Sequence, residues 1–363
     1  MPNPILTEAI DALAQRRDLS VDQAAAVLEQ IMQGNASEVE IAGFLIALRT
    51  KGETVEELAG LARTMRALAA PVRSQREDLL DTAGTGGGRR TFNVSTTAAL
   101  IAAGSGAAVA KHGNRSATSL SGSADLLEAL GARIDLEADA VADCIDATGF
   151  GFMFAPVHHR ATRFVVPVRS ELAVRTVFNL LGPLTNPAGA RRQVIGVSDP
   201  RFLDTVAGAL VLLGTERALV VSSEDGLDEI SAGAPTQVVE VEGGELRRYV
   251  LTPEEAGISG DGGGARSGAA AGSGPGEVPE ELRGGTPEEN ARLTRAILEG
   301  ESGQAADLAL INAGAAIYVA GGAANIAEGV ERARDTVAGG RALLTLEDFV
   351  TASRRAAPAE AGA

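Results

Sequence analysis

No tryptophan occurs in the 363 residues, and aromatic side chains make up only 3% of them. Hydrophobic residues nevertheless reach 45%, so any core must be aliphatic rather than built on rings. Cys144 is the one cysteine, which excludes an internal disulfide framework and fits a reducing, cytoplasmic setting. No apolar run approaches the ~20 residues needed to span a bilayer, and the N-terminus lacks the basic-then-apolar pattern of a signal peptide. Lysine is nearly missing, with only Lys51 and Lys111, and arginine carries the remaining positive charge. Against 32 Lys and Arg stand 48 Asp and Glu, a formal charge of −16. Such a balance argues against nucleic acid, whose binding is dominated by phosphate neutralisation. An anionic substrate would have to be held by locally placed cations. The expectation is a cytoplasmic protein that binds neither membrane nor nucleic acid.

The length suggests about two domains. Residues 1–72 read as a run of helices with strong start signals: Asn3-Pro4, then the capping boxes Ser20…Gln23, Ser37…Glu40 and Thr54…Glu57. Apolar residues follow each at helical spacing, and Gly34 and Gly52 stand where glycines end helices. Four short helices without a strand make a small helical domain whose surplus apolar faces suit a partner subunit. Part of 168–190 is expected to join it. From residue 73 the pattern changes to short apolar runs, at 79–80, 107–110, 152–154, 193–197, 218–222 and 237–241. Helical stretches at 123–130, 138–148 and 200–213 lie among these runs, and more follow at 289–298, 305–320 and 326–338. The expected fold class is therefore α/β: a small N-terminal helical domain plus a larger domain around a mostly parallel central sheet. Residues 257–276 are nearly all Gly, Ala and Ser and read as a flexible loop.

Four stretches carry chemistry. The first is Gly84-Thr85-Gly86-Gly87-Gly88-Arg89-Arg90-Thr91-Phe92-Asn93-Val94-Ser95-Thr96, a glycine loop that opens an alanine-rich helix. Glycines bring backbone N–H groups close to a ligand, and a helix N-terminus adds free donors, so the unit suits phosphate. A plain strand-to-helix turn is the other reading. No Gly-Lys-Ser/Thr closes it, and the dinucleotide pattern is not met. The second is Lys111-His112-Gly113-Asn114-Arg115, a dense donor array after the run at 107–110, where open α/β sheets bind ligands. The third is Asp225-Gly-Leu-Asp228-Glu229; paired carboxylates hold Mg²⁺ together with substrate phosphates, and an acidic surface turn is the alternative. The fourth runs through His158, His159, Arg169, Arg175 and Asn186-Pro187. No third ligand is spaced to make zinc of the histidines. Arg169 offers a fork for a carboxylate.

Taken together, these motifs resemble the anthranilate phosphoribosyltransferases: Gly-Thr-Gly-Gly…Asn93-Val-Ser95-Thr96, Lys111-His-Gly-Asn114-Arg, Ser121-Gly-Ser123-Ala-Asp125, Arg175-Thr-x-Phe-Asn-x-Leu-Gly-Pro-Leu-x-Asn-Pro and Asp228-Glu229. The resemblance covers essentially the whole chain. It implies a fold like those of nucleoside phosphorylases and related phosphoribosyltransferases, a homodimer through the helical part, and a step of tryptophan biosynthesis. In that step phosphoribosyl pyrophosphate and anthranilate give N-(5-phosphoribosyl)anthranilate and pyrophosphate, with Mg²⁺. By position, the resemblance puts Gly84, Gly87, Gly88, Thr91, Asn93, Val94, Ser95, Thr96, Lys111, His112, Gly113, Asn114, Arg115, Ser116, Ala117, Thr118, Ser119 and Ser123 on phosphoribosyl pyrophosphate. Ser95, Asp228 and Glu229 would hold Mg²⁺, and Gly84, Asn114 and Arg169 would meet anthranilate. Lys111 and Arg115 are the candidates to neutralise the leaving group. The chain departs from the family in lacking the usual loop aspartate before Gly88, and at Leu120, Arg160, Thr162 and Ala173. A nucleoside phosphorylase and a non-catalytic ligand-binding protein are the competing readings.

Overall fold

Each of the four N-terminal start signals caps a helix in the computed structural model, which describes residues 2–116, 120–258 and 279–356. The helices are α1 (Pro4–Ala14), α2 (Val21–Met32), α3 (Glu38–Lys51) and α4 (Val55–Leu68). Asn3 Oδ1 accepts from the N–H groups of Ile5 and Leu6, while Ser20, Ser37 and Thr54 each accept from the N–H three residues on. Caps of this kind contribute about 1 kcal/mol apiece. Helix α4 presses on α2 at Gly60, where a Cβ would overlap the Val21 carbonyl. Buried Glu57 accepts from Leu19 N–H at 2.9 Å and pairs with Lys51 at 3.0 Å, tying these helices together.

The chain then alternates: β1 (Leu79–Gly84), α5 (Val94–Gly104), β2 (Ala108–Gly113), α6 (Ser123–Ala129), α7 (Ala138–Thr148) and β3 (Phe150–Phe154). Three short helices follow, α8 (Ala155–His158), α9 (Val166–Leu172) and α10 (Phe178–Leu184). After them come β4 (Arg192–Gly196), α11 (Leu203–Leu212), β5 (Arg217–Ser223), β6 (Thr236–Glu242) and β7 (Glu245–Leu251). Helices α12 (Pro287–Leu298), α13 (Gln304–Val319), α14 (Ile326–Ala338) and α15 (Arg341–Arg355) complete the described fold.

One seven-stranded sheet has the order β3-β2-β1-β4-β5-β6-β7. Its first five strands are parallel, and β6 and β7 add antiparallel to the edge. One face packs under α5, α13 and α15 in a core of Leu100, Ile101, Val109 and Ile311. The other face carries Ile195, Val220 and Val239, which join α11 and the helices α1–α4, α9 and α10 in one continuous aliphatic core. Residues 165–184 therefore pack with the N-terminal helices.

Five elements escape the sequence reading, each for a local reason. Strand β7 is a largely exposed edge with two adjacent arginines, Arg247 and Arg248. Helix α10 contains Gly182 and Pro183, and α9 opens with Pro167, so both look like breakers. The α8 turn is only four residues long. Helix α15 starts at Gly340 with no side-chain cap to announce it. Most of the expected loop at 257–276 lies outside the described residues.

Candidate active site

The sheet reverses direction of growth at β1, which has β2 on one side and β4 on the other. Crevices beyond the C-terminal ends of strands at such a switch are where open α/β sheets bind ligands. Gly84 ends β1 opposite Gly196 of β4. A Cβ at Gly84 would lie 2.8 Å from Asp228 Oδ2, and one at Gly88 would lie 2.5 Å from Asp228 Oδ1. The glycines thus let a carboxylate from beyond β5 rest on the loop between β1 and α5.

Helix α5 begins without a side-chain cap, unlike α1–α4 and α12. Asn93, at its N-cap, commits its amide elsewhere. Its Oδ1 accepts from Asn290 Nδ2 at 2.8 Å and Ser121 Oγ at 3.1 Å, and its Nδ2 donates to the Ser121 carbonyl. The N–H groups of Val94 and Thr96 turn back to the Phe92 and Asn93 carbonyls, so the first turn keeps its positive dipole end and the Ser95 N–H for another acceptor. Backbone bonds from Phe92 N–H to the Leu282 carbonyl and from Gly284 N–H to the Arg90 carbonyl pin the loop from the far side.

Beneath this turn lies Lys111, fully buried. Its Nζ donates to the Thr82 carbonyl at 2.5 Å and reaches Thr82 Oγ1 and Ser95 Oγ at 3.3 Å each. Burial pulls its pKa down to about 8, partly opposed by the charge of Asp81. Asp81 is itself fully buried and accepts from His112 N–H and from Asn186 Nδ2. Burial pushes the Asp81 carboxyl up, while Lys111 and these donors pull it back.

Asp228 and Glu229 form the acidic side. Burial raises both carboxyls, and for Glu229 the neighbouring charge of Asp228 raises it further. Thr91 Oγ1 donates to Glu229 Oε1 at 3.3 Å, whereas buried Glu229 Oε2 has no hydrogen-bond partner. Two crowded carboxylates with an orphaned oxygen fit a divalent cation, which would relieve both. No group of three or more His, Cys, Asp or Glu among the described residues could cage a metal alone. Substrate oxygens would have to complete its shell, as is usual for Mg²⁺.

The remaining expected residues fall into two groups. Gly113 faces Ser123, whose Oγ donates to the Asn114 carbonyl, so the turn after β2 folds onto the start of α6. Asn114 Oδ1 accepts from Arg115 N–H, and Ser116 N–H donates to Asp125. The Arg115 guanidinium turns away from the glycine loop, pairing with Asp125 at 2.8 Å and Glu128 and lying over Phe154. Two carboxylates thus share the charge of Arg115. Ala117, Thr118 and Ser119 lie outside the described residues. Arg169 projects from α9, half-buried, with its guanidinium 5.3 Å from the Phe178 ring centroid. Among the described residues its side chain has no hydrogen-bond or ion-pair partner, and burial lowers its pKa. His112, His158 and His159 are buried and held toward neutrality, His159 at about 4. Asp81, Thr82 and Asn290 are supporting residues to which the sequence reading gave no role; polar side chains inside or beside apolar runs were the available signal.

Two family models match the chain: one described as glycosyl transferase family, helical bundle domain, over residues 7–69, and one described as glycosyl transferase family, a/b domain, over residues 76–343. An anthranilate phosphoribosyltransferase of Rubrobacter xylanophilus is 50% identical over 97% of this chain and 99% of its own length. The crystal structure of the anthranilate phosphoribosyltransferase of Thermus thermophilus is 47% identical, with a TM-score of 0.86 over 95% of this chain and 99% of that one. The Saccharomyces cerevisiae enzyme of the same name, in complex with PRPP and Mg, is 27% identical with a TM-score of 0.83, covering 96% and 98%. With an uncapped helix start, a glycine loop and an acidic pair at the switch point, and with near-complete coverage at such identity, the chain belongs to the anthranilate phosphoribosyltransferase family.

Proposed function

We propose that this chain transfers the 5-phosphoribosyl group of phosphoribosyl pyrophosphate to the amine of anthranilate, a Mg²⁺-dependent step of tryptophan biosynthesis. The observation that carries the reading is the convergence of the uncapped α5 start, the glycine loop and the charge-crowded Asp228-Glu229 pair at one end of the sheet. The donor is assigned to Gly84, Gly87, Gly88, Thr91, the 93–96 turn, residues 111–116 and Ser123. Ser95, Asp228 and Glu229 are the residues that would hold Mg²⁺, which when bound supplies positive charge to the departing pyrophosphate. Backbone donors of the loop stabilise the same charge as it develops. Lys111, braced on Thr82, aims its ammonium at Ser95 and so steadies that side of the site. Arg115, paired with Asp125 and Glu128, is with Lys111 the candidate to neutralise the leaving pyrophosphate.

Arg169 is the anthranilate clamp. An unpaired, half-buried guanidinium stacked on a ring favours a planar carboxylate. With Asn114 and Gly84 it orients the amine toward the ribose C1. There the C1–O bond breaks with its electron pair going to pyrophosphate, the amine lone pair forms the C1–N bond, and the amine loses a proton to solvent. Arg169→Ala should raise the anthranilate KM by roughly 10- to 100-fold, the worth of a charged hydrogen-bonded pair. The phosphoribosyl pyrophosphate KM should move less than threefold; equal rises would remove the clamp. The overall reading is tested by loss of anthranilate fluorescence when phosphoribosyl pyrophosphate and Mg²⁺ are added.

The same reading includes a division near residue 72, with the segment around α9 and α10 belonging to the helical part; the shared core of these helices supports it. It also includes a homodimer through that part. Exposed Ile5, Val39 and Ile46 on α1 and α3 support an apolar contact, Val39 being 82% exposed. Sedimentation equilibrium should give twice the chain mass, and Val39→Glu should lower it. No helix among the described residues is long and apolar enough to cross a membrane. The buried free thiol of Cys144 suits the cytoplasm.

A further inference from the structure

We infer that Arg175 is a further donor-binding residue, a cation carried from the helical part of the chain to meet the pyrophosphate at the glycine loop; this rests on the transferase reading above. Arg175 lies between α9 and α10, in neither helix. Its guanidinium rests on Gly87 so closely that a Cβ there would overlap Nη1, and Nη2 would stand 3.5 Å away. Gly87 has φ +79, a left-handed backbone that favours glycine at the point of contact. The side chain is exposed and, among the described residues, makes no hydrogen bond or ion pair. Its field is felt by Asp228 on one side and Asp199 on the other.

The backbone that aims it is held firmly. Arg49 of α3 donates through Nη1 to the Arg175 carbonyl at 2.8 Å, and Thr176 N–H donates to Asn179 Oδ1 at 3.0 Å. Residues 84–90 contain no carboxylate to claim this guanidinium. Two neighbouring cations are engaged: Lys111 is buried under Ser95, and Arg89 lies against Gly226. A guanidinium fork with free donors, set on the loop whose N–H groups suit phosphate, matches two phosphate oxygens bidentately.

Calorimetric titration of the full chain with pyrophosphate and Mg²⁺ tests the inference. The parent should bind, Arg175→Gln should bind at least tenfold more weakly, and Arg175→Lys, which keeps the charge without the fork, about threefold more weakly. The phosphoribosyl pyrophosphate KM should rise in the same ratio while the anthranilate KM stays within twofold. Binding by Arg175→Gln within twofold of the parent would overturn the inference. So would equal rises in both KM values, which would mark Arg175 as a spacer between the two parts. Should the parent itself take up neither pyrophosphate nor phosphoribosyl pyrophosphate, the transferase reading fails and this inference with it.

Discussion

At Glu229 one carboxylate oxygen is bonded to Thr91 and the other is buried without a partner, beside the charge of Asp228. Both carboxyls are raised above their unfolded values, so the folded chain holds protons to higher pH than the unfolded chain. Their contribution to stability falls as pH rises through those raised values. Glu229→Gln should therefore raise the melting temperature of metal-free protein at neutral pH by roughly 1–3 °C. It should also abolish the stabilisation that added Mg²⁺ confers on the parent, as differential scanning fluorimetry would record. Lys111 titrates with the opposite sign. Its folded pKa, about 8, lies below the ordinary 10.5, so between those values the unfolded chain binds the extra proton and stability rises with pH. Urea midpoints between pH 7.5 and 9.5 should climb in the parent and stay flatter in Lys111→Met. The loss of charge should meanwhile lower kcat/KM for the donor as pH passes about 8, a limb that the methionine variant lacks. Lys111 and Asp228 were visible in the sequence because a scarce lysine and a paired acid follow apolar runs. The bond between Asp81 and Asn186 was not, since it spans 105 residues.

Among the elements, α9 ends on a residue with an unusual backbone. Ala173 has φ 50 and ψ 27, the left-handed region where a Cβ costs about 1–2 kcal/mol, and the family commonly has glycine there. Ala173→Gly should stabilise the chain by about 0.5 kcal/mol after the extra chain entropy of glycine is subtracted, seen as a higher urea midpoint. A lower midpoint would show that the left-handed turn is not a source of strain. The start of α5 illustrates why capping rules reach only so far. Asn93 is a good N-cap residue, yet it bonds to Ser121 and to Asn290, 197 residues away, and leaves the helix end open. The four capped helices at the N-terminus follow the same rules without exception, because the distant partners of Asn3 and Glu57 leave their capping bonds in place.

For the molecule as a whole, charge and core organisation matter most. A chain of formal charge −16 can hold a polyanion only where cations and N–H groups are placed locally, the condition that the glycine-loop end of the sheet is proposed to meet. The N-terminal helices share one aliphatic core with a face of the sheet, through Ile195, Val220 and Val239. Splitting them from the sheet would expose that face, so the two parts should unfold together. A single calorimetric transition, with calorimetric and van't Hoff enthalpies in agreement, is the expected outcome. Two resolved transitions would contradict a shared core.

The sequence by itself determined the helical start, the α/β alternation, the glycine loop, Lys111 and the Asp228-Glu229 pair. Each is written in residues within a dozen positions of one another, where propensity, capping and backbone freedom act locally. Only the tertiary structure decided that Asn93 is a knot rather than a cap and that Arg115 is committed to Asp125 and Glu128. It also decided that Asp228 rests on Gly84 and Gly88, and that Arg175 reaches across from the helices to Gly87. Those choices depend on which side chains meet once segments far apart in the chain become neighbours, and no local pattern encodes that competition for partners.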